Sequence, residues 1–166
     1  MEKLIQHLKN RRLGIVYILK MVSSELWDWQ RSTRMKNIAD LVNHLSCVLL
    51  AFLELLKGNM PDGKSHTLLE QKYQPQNAQE AVRIYNKSLI QLLNYLEELL
   101  EDVYENSIFF FYLDHPSSIF KETFEEIRHE WFHLGQIFTY LRQNNFSVDM
   151  GVYYGFKDPN PNIPDE

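Results

Sequence analysis

An all-α fold, a four-helix bundle with one long crossover connection, follows from three observations on this sequence. Four long segments repeat their apolar residues at helical spacing. Between the second and third of them a stretch of about 18 residues, Asn59 to Gln76, loses that period and holds Pro61, Gly63 and Pro75, as a long surface connection does. Elsewhere a single apolar run, Ile108 to Leu113, has the look of a strand, and no second run is present to pair with it.

The first helix is predicted from about Lys3 to Val22, with Leu4, Leu8, Ile15, Ile18, Leu19 and Val22 on its apolar stripe. The local cluster Lys9-Asn10-Arg11-Arg12 reads as a solvated face of that helix. Ser23 and Ser24 can cap a short turn leading into Glu25-Leu26-Trp27. The second helix, about Asn37 to Lys57, carries Ile38, Leu41, Val42, Leu45, Val48, Leu49, Phe52, Leu55 and Leu56 on a 3.6-residue period, and Gly58 is a natural stop. After the long connection, which permits a crossover between helices that are not sequence neighbours, the third helix opens at Asn77. Glu80 three residues later completes the pattern of a capping box, and Ile84, Leu89, Leu92, Leu96, Leu99 and Val103 follow. The run Ile108 to Leu113 is a short strand or an extended plug over the core. The fourth helix spans about Ser118 to Gln143, and the tail from about residue 146 reads as irregular.

At 166 residues the chain is one domain, 1–166, large enough to bury a sizeable core. A net charge of −5, with the basic residues scattered, argues against a phosphate-tracking surface and so against nucleic-acid binding. The N-terminus lacks the pattern of a secretory signal, and no unbroken run reaches the ~20 apolar residues of a membrane span. The single cysteine, Cys47, agrees with a reducing compartment, so a cytoplasmic protein with no membrane partner is expected. By helical phase Cys47 falls off the main apolar stripe, and nothing nearby in sequence marks it as a nucleophile.

The chemistry concentrates in the fourth helix, at His129-Glu130-Trp131-Phe132-His133. Histidines at i and i+4 stand one above the other, with Cβ atoms roughly 6 Å apart, and both rings can reach one divalent cation at about 2.0–2.1 Å. A third ligand is needed, and the best candidate is His44, about 40° from Val48 on the edge of the second helix's stripe. Standing alone, His44 would read as a packed core histidine; the pair changes that weighting. The helical wheel also sets a difficulty. Phe124, Ile127, Trp131, Leu134 and Phe138 share a face about 160° from His129 and His133, so the helix must be covered on two sides. One side is then the bundle interior with the metal, and the aromatics either meet other helices or form a dimer contact.

Two other readings of the same residues exist. His129-Glu130-x-x-His133 satisfies the zinc-peptidase pattern, with Glu130 as the water-activating base, although no histidine follows His133 to serve as a downstream ligand. Glu126 with His129 and Glu130 with His133 also have the Glu-x-x-His spacing of a two-metal carboxylate centre, but such a centre needs that spacing on two different helices, and the second helix offers Asp40 and His44 instead.

The context Ala39-Asp40-Leu41-Val42-Asn43-His44-Leu45, together with His129-x-x-x-His133-x-Gly135-Gln136 and Tyr140-Leu141-Arg142, resembles the DinB-like superfamily of the DinB/YfiT type. Leu26-Trp27-Asp28-Trp29 and Met35-Lys36-Asn37-Ile38 resemble the family's stretch before the second helix, and the resemblance spans most of residues 1–145. It implies a four-helix bundle of unusual connectivity, often dimeric, with a divalent metal held in an open site by His44, His129 and His133. The family includes metal-dependent thiol transferases that use bacillithiol, mycothiol or glutathione, and a mycothiol-dependent maleylpyruvate isomerase.

The expectation is therefore a metal-dependent enzyme, with zinc or nickel on three imidazoles and a low-molecular-weight thiol as possible second cofactor. Three protein ligands leave a position for a thiol or water, as catalytic sites do. The expected reaction is thiol S-transfer or hydrolysis on a small-molecule substrate, in a homodimer. The alternatives are a non-catalytic metal-binding or stress-response helical module and the zinc peptidase. Trp27, Trp29 and Tyr140 fit either a substrate pocket or core filling.

Overall fold

In a computed structural model of the chain, the described residues are 2–59, 62–99, 101–105 and 107–154. Four long helices form the bundle: α1 (Glu2–Lys20), α2 (Ile38–Leu56), α4 (Ala78–Glu98) and α5 (Ile119–Gln143), with the shorter α3 (Gly63–Lys72) and α6 (Met150–Tyr153) between and after them. Consecutive helices α1 and α2 are not packed side by side. Each lies mainly against α4 and α5, so the order around the bundle is α1, α4, α2, α5. The long connection joins α2 to its neighbour α4, so the links that cross the bundle are those from α1 to α2 and from α4 to α5 and not, as expected, the segment 59–76.

The second helix is the centre of the molecule. Ile38, Leu41, Val42, Leu45, Leu49 and Leu53 are at most 2% exposed, and burying each such side chain contributes about 2 kcal/mol. By length and mean hydropathy α2 would also pass for a bilayer-crossing helix, although Asp40, Asn43, His44 and Glu54 interrupt its apolar run, and two thirds of it is buried inside the bundle. Because α2 is covered on most sides, Cys47 is fully buried as well, contrary to its expected place off the stripe. Asn37 caps the helix by accepting from the Asp40 N–H at 2.7 Å, and Gly58 at φ 76° ends it in the left-handed conformation that glycine adopts without strain.

The connection 59–76 is not the continuous loop expected from its lost period. Asp62 accepts from the N–H of Ser65 at 2.9 Å and caps α3, which lies between the two prolines and rests Leu69 against the core. A ten-residue helix with so few apolar residues leaves little periodic signal. At the next helix Asn77 caps as expected, accepting from the Glu80 N–H at 2.9 Å, but the Glu80 carboxylate reaches back to the N–H of Gln76 and not to that of Asn77.

The aromatic run is a plug more than a strand. Ser107–Ile108 (β1) pairs antiparallel with Ser117–Ser118 (β2), Ser107 opposite Ser118. The loop between them drops Phe110 into the core at 1% exposure, while Phe111 and Tyr112 remain at the surface. Of the tail expected to be irregular from about residue 146, residues 146–154 fold back on the bundle, and 155–166 lie outside the described residues. Asp149 caps the single turn of α6, and Tyr153 packs on the rings of Trp131 and Phe138 at centroid distances of 5.4 and 4.9 Å. The second apolar side of α5 is thus covered from within the chain for Trp131 and Phe138, whereas Phe124 stays 48% exposed.

The contact of α6 with α1 is close enough to need a glycine. A Cβ on Gly14 would stand 2.5 Å from the carbonyl oxygen of Tyr153. Gly14→Ala should therefore lower stability by about 1–3 kcal/mol through displacement of α6, measured by urea unfolding. A variant as stable as the parent would mean that this helix contact does not persist in solution.

Candidate metal centre

Two helices bring three histidines together. His44 sits in the second turn of α2, almost fully buried, and His129 and His133 lie one turn apart on the face of α5 that packs on α2. Their Nε2 atoms converge: His44 to His129 is 3.2 Å and His133 to His129 is 2.9 Å. Nitrogens held about 2.0–2.1 Å from one tetrahedral ion stand roughly 3.3 Å apart, so the three rings already have the spacing of a ligand set. The sequence-predicted group His44, His129 and His133 is brought together as one cluster able to hold a metal ion.

The opposite ring nitrogens decide what the cluster offers. His44 Nδ1 meets Glu70 Oε1 at 2.5 Å, His129 Nδ1 meets Glu126 Oε1 at 3.3 Å, and His133 Nδ1 meets the amide oxygen of Gln136 at 2.8 Å. Oxygens of these kinds accept and do not donate, so each ring places its N–H at Nδ1 and leaves a lone pair on Nε2. Three lone pairs then point at one spot. A proton shared between two nitrogens leaves the third unserved, whereas one divalent cation serves all three. Burial pushes the His133 imidazole down to about 4, keeping it neutral, whereas the hydrogen bond to Glu126 raises that of His129, so at that ring a metal ion competes with a proton.

Glu70 and His66 were missed by sequence reasoning because both lie in the stretch read as loop. On α3 they face the site: Glu70 holds His44, and the His66 ring lies 5.7 Å from the His44 ring. A second candidate ligand group, His44, His66 and Glu70, results. The one available signal was their i, i+4 spacing behind the cap at Asp62. His7 and His115 lie outside both groups.

Glu130, the candidate base, points the other way. It is 1% exposed and pairs with the equally buried Arg11 of α1 at 3.1 Å, while Arg11 also donates to the carbonyl oxygen of Ile127 and lies over the Trp131 ring. Arg11 is therefore no part of a solvated face, in contrast to the reading of its sequence cluster. Burial pushes the Glu130 carboxyl up to about 7, with the Arg11 guanidinium pulling it down. The histidines sit on the α2 side of the helix and Glu130 on the α1 side, which removes the geometry a zinc peptidase needs. Cys47 is no nucleophile either, since burial pushes its thiol up to about 12. Trp27 and Trp29 pack against the core, and Tyr140 is part of it, its ring edge-on to Trp29 at 5.0 Å.

Beside the histidines opens a cavity of about 520 Å³, bounded by α2, α3, the β1–β2 loop and α5. His44, His66 and His129 stand in its wall with Phe52, Phe111 and Tyr112. The arrangement is a helical bundle with an inward-facing imidazole cluster and an adjoining small-molecule cavity, a class of protein suited to holding a metal beside a ligand.

The chain belongs to the DinB family, whose sequence profile matches residues 1–153. Its fold is that of two solved DinB-like proteins. One, from Bacillus cereus, has a TM-score of 0.71 at 17% identity, covering 90% of this chain and 95% of that one. The other, from Bacillus subtilis, has a TM-score of 0.66 at 15% identity, covering 88% and 94%. No curated protein sequence matches the chain.

Replacing Glu130 separates its structural role from a catalytic one. Glu130→Gln should cost about 3 kcal/mol, because it strands the buried Arg11 charge, and should leave metal uptake by the histidines unchanged. Urea unfolding beside a metal-binding titration reads both, and loss of metal without loss of stability would return Glu130 to the site.

Proposed function

We propose that this protein is a divalent-metal-dependent enzyme that transfers a low-molecular-weight thiol of the bacillithiol type to an electrophilic small molecule, with hydrolysis as the variant chemistry. The observation that carries the reading is the set of three Nε2 lone pairs, each fixed by an acceptor on its Nδ1–H, beside a cavity of about 520 Å³. Zinc or nickel suits neutral imidazoles. Bound there by three ligands, such an ion would supply Lewis acidity and lower the pKa of a thiol or water at its free position.

The chain's own residues do the rest. Glu70, Glu126 and Gln136 hold the three rings in one tautomer and orientation, which raises their basicity as ligands. The packing of α2 on α5 keeps His44 away from solvent. Val48, Phe52, Leu55 and Phe111 give the cavity an apolar wall that displaces water from a bound substrate. His66 stands in the same wall, placed to donate or accept a hydrogen bond at a reacting group.

With this reading go a cytoplasmic location, a small-molecule substrate, no nucleic-acid or membrane partner, and pairing with a second copy of the chain. The competing reading, a metal-binding or stress-response module without catalysis, lacks a use for the cavity that adjoins the histidines.

A screen of the zinc- and nickel-loaded protein with bacillithiol, mycothiol and glutathione against electrophiles such as an epoxide or a chloronitrobenzene tests the proposal. Thiol consumption above the uncatalysed rate, lost in His44→Ala and His129→Ala, is expected. Equal rates in parent and variants with every thiol and with water alone would leave the non-catalytic module.

A further inference from the structure

The cavity beside the histidines has a charge pattern that the metal reading does not use. Glu122 lies on its wall only 4% exposed, and among the described residues no lysine or arginine pairs with it. Its two oxygens accept from neutral donors, Ser117 Oγ at 2.6 Å and Tyr112 Oη at 3.1 Å. One turn further along α5, Glu126 faces the same space and, among the described residues, has His129 as its one hydrogen-bond and ion-pair partner. Glu125 is there too, but Arg128 neutralises it at 2.9 Å. Among the described residues no lysine or arginine lines this cavity, although Lys36 acts on His129, His133 and Glu70 from outside it.

A buried carboxylate without a counter-charge is costly, and a like charge four residues on adds to the cost. Hydroxyl donors soften that cost without cancelling the charge. A bare inorganic cation is a poor fit for the space, since Val48, Ala51, Phe52, Leu55 and Phe111 make most of the remaining wall apolar. An apolar wall facing Glu122, which has no cationic partner, and Glu126, which has only the His129 imidazole against it among the described residues, is complementary to an amphiphilic cation.

We infer that the cavity takes a small molecule with an apolar body and a protonated amine, the amine at Glu122 and Glu126 and the body against Phe52 and Phe111, and that it disfavours anionic molecules of the same shape. This names the substrate class of the site proposed above and rests on that cavity being the substrate site; it does not require the metal to be zinc, nickel or present at all. Glu122 is then a specificity-determining residue distinct in role from the histidines, and Glu126 joins that role to its hold on the His129 ring.

The test is calorimetric titration of the parent, both zinc-loaded and stripped of metal, with 2-phenylethylamine, 2-phenylethanol and 3-phenylpropanoate. The amine is expected to bind at least about tenfold more tightly than the other two in the stripped protein. Glu122→Gln should remove about tenfold of amine affinity and leave the alcohol within about twofold, and Glu122→Gln with Glu126→Gln should level the three probes. The ranking in the parent needs no variant, so a variant that fails to fold does not shield the inference. Propanoate binding as well as the amine in the stripped protein, an amine preference that survives the double substitution, or stoichiometric displacement of the amine by millimolar calcium would each overturn it. Failure of the metal reading is separate: the protein would then take up no zinc while still preferring the amine.

Discussion

Three imidazole lone pairs aimed at one point are the constraint around which this structure is organised. Each would be harmless alone. What forces them to coexist is the occupation of every Nδ1, by Glu70 on α3, by Glu126 on α5 and by Gln136 one turn beyond His133. Remove those acceptors and the rings can swap tautomers and satisfy one another; with them in place, the cluster calls for a cation. The second helix must therefore hold His44 rigidly, and burial of its neighbours on nearly all sides does so.

The same demand explains why α5 is built with two dissimilar faces. Towards α2 it presents His129 and His133, and towards α1 it presents Glu130, fixed by Arg11, with Trp131 beneath the guanidinium. A helix bearing ligands on one side gains positional accuracy from being clamped on the other, and α6 completes the clamp through Tyr153. The ring order α1, α4, α2, α5 places the ligand-bearing helices side by side although 62 residues (57–118) lie between them in sequence.

Much of this was legible in the sequence, because long periodic helices and an i, i+4 histidine pair are local signals. His44 could be singled out from its phase on α2. What escaped were features that arise only on packing. Glu70 and His66 lay in a segment whose helix is short and nearly without apolar residues, so its period was invisible and their role with it. Arg11 sits in a run of polar and basic residues that reads as solvated, and only the approach of Glu130 from a helix more than a hundred residues away turns it inward. Cys47 looked peripheral because a single stripe was assumed for a helix that is covered from several directions. The covering of Trp131 by Tyr153 depends on a tail whose four-residue helix has no period to detect.

The central claim is that His44, His129 and His133 share one metal ion with a position left open. Zinc uptake by equilibrium dialysis, followed by X-ray absorption at the zinc edge, tests it most directly. The account predicts one equivalent of zinc with three imidazole nitrogens at about 2.0–2.1 Å and an exchangeable water oxygen as fourth neighbour. It predicts that His44→Ala lowers the imidazole count as much as His129→Ala does. Absence of bound zinc, or a full complement of imidazoles retained after His44→Ala, would contradict it.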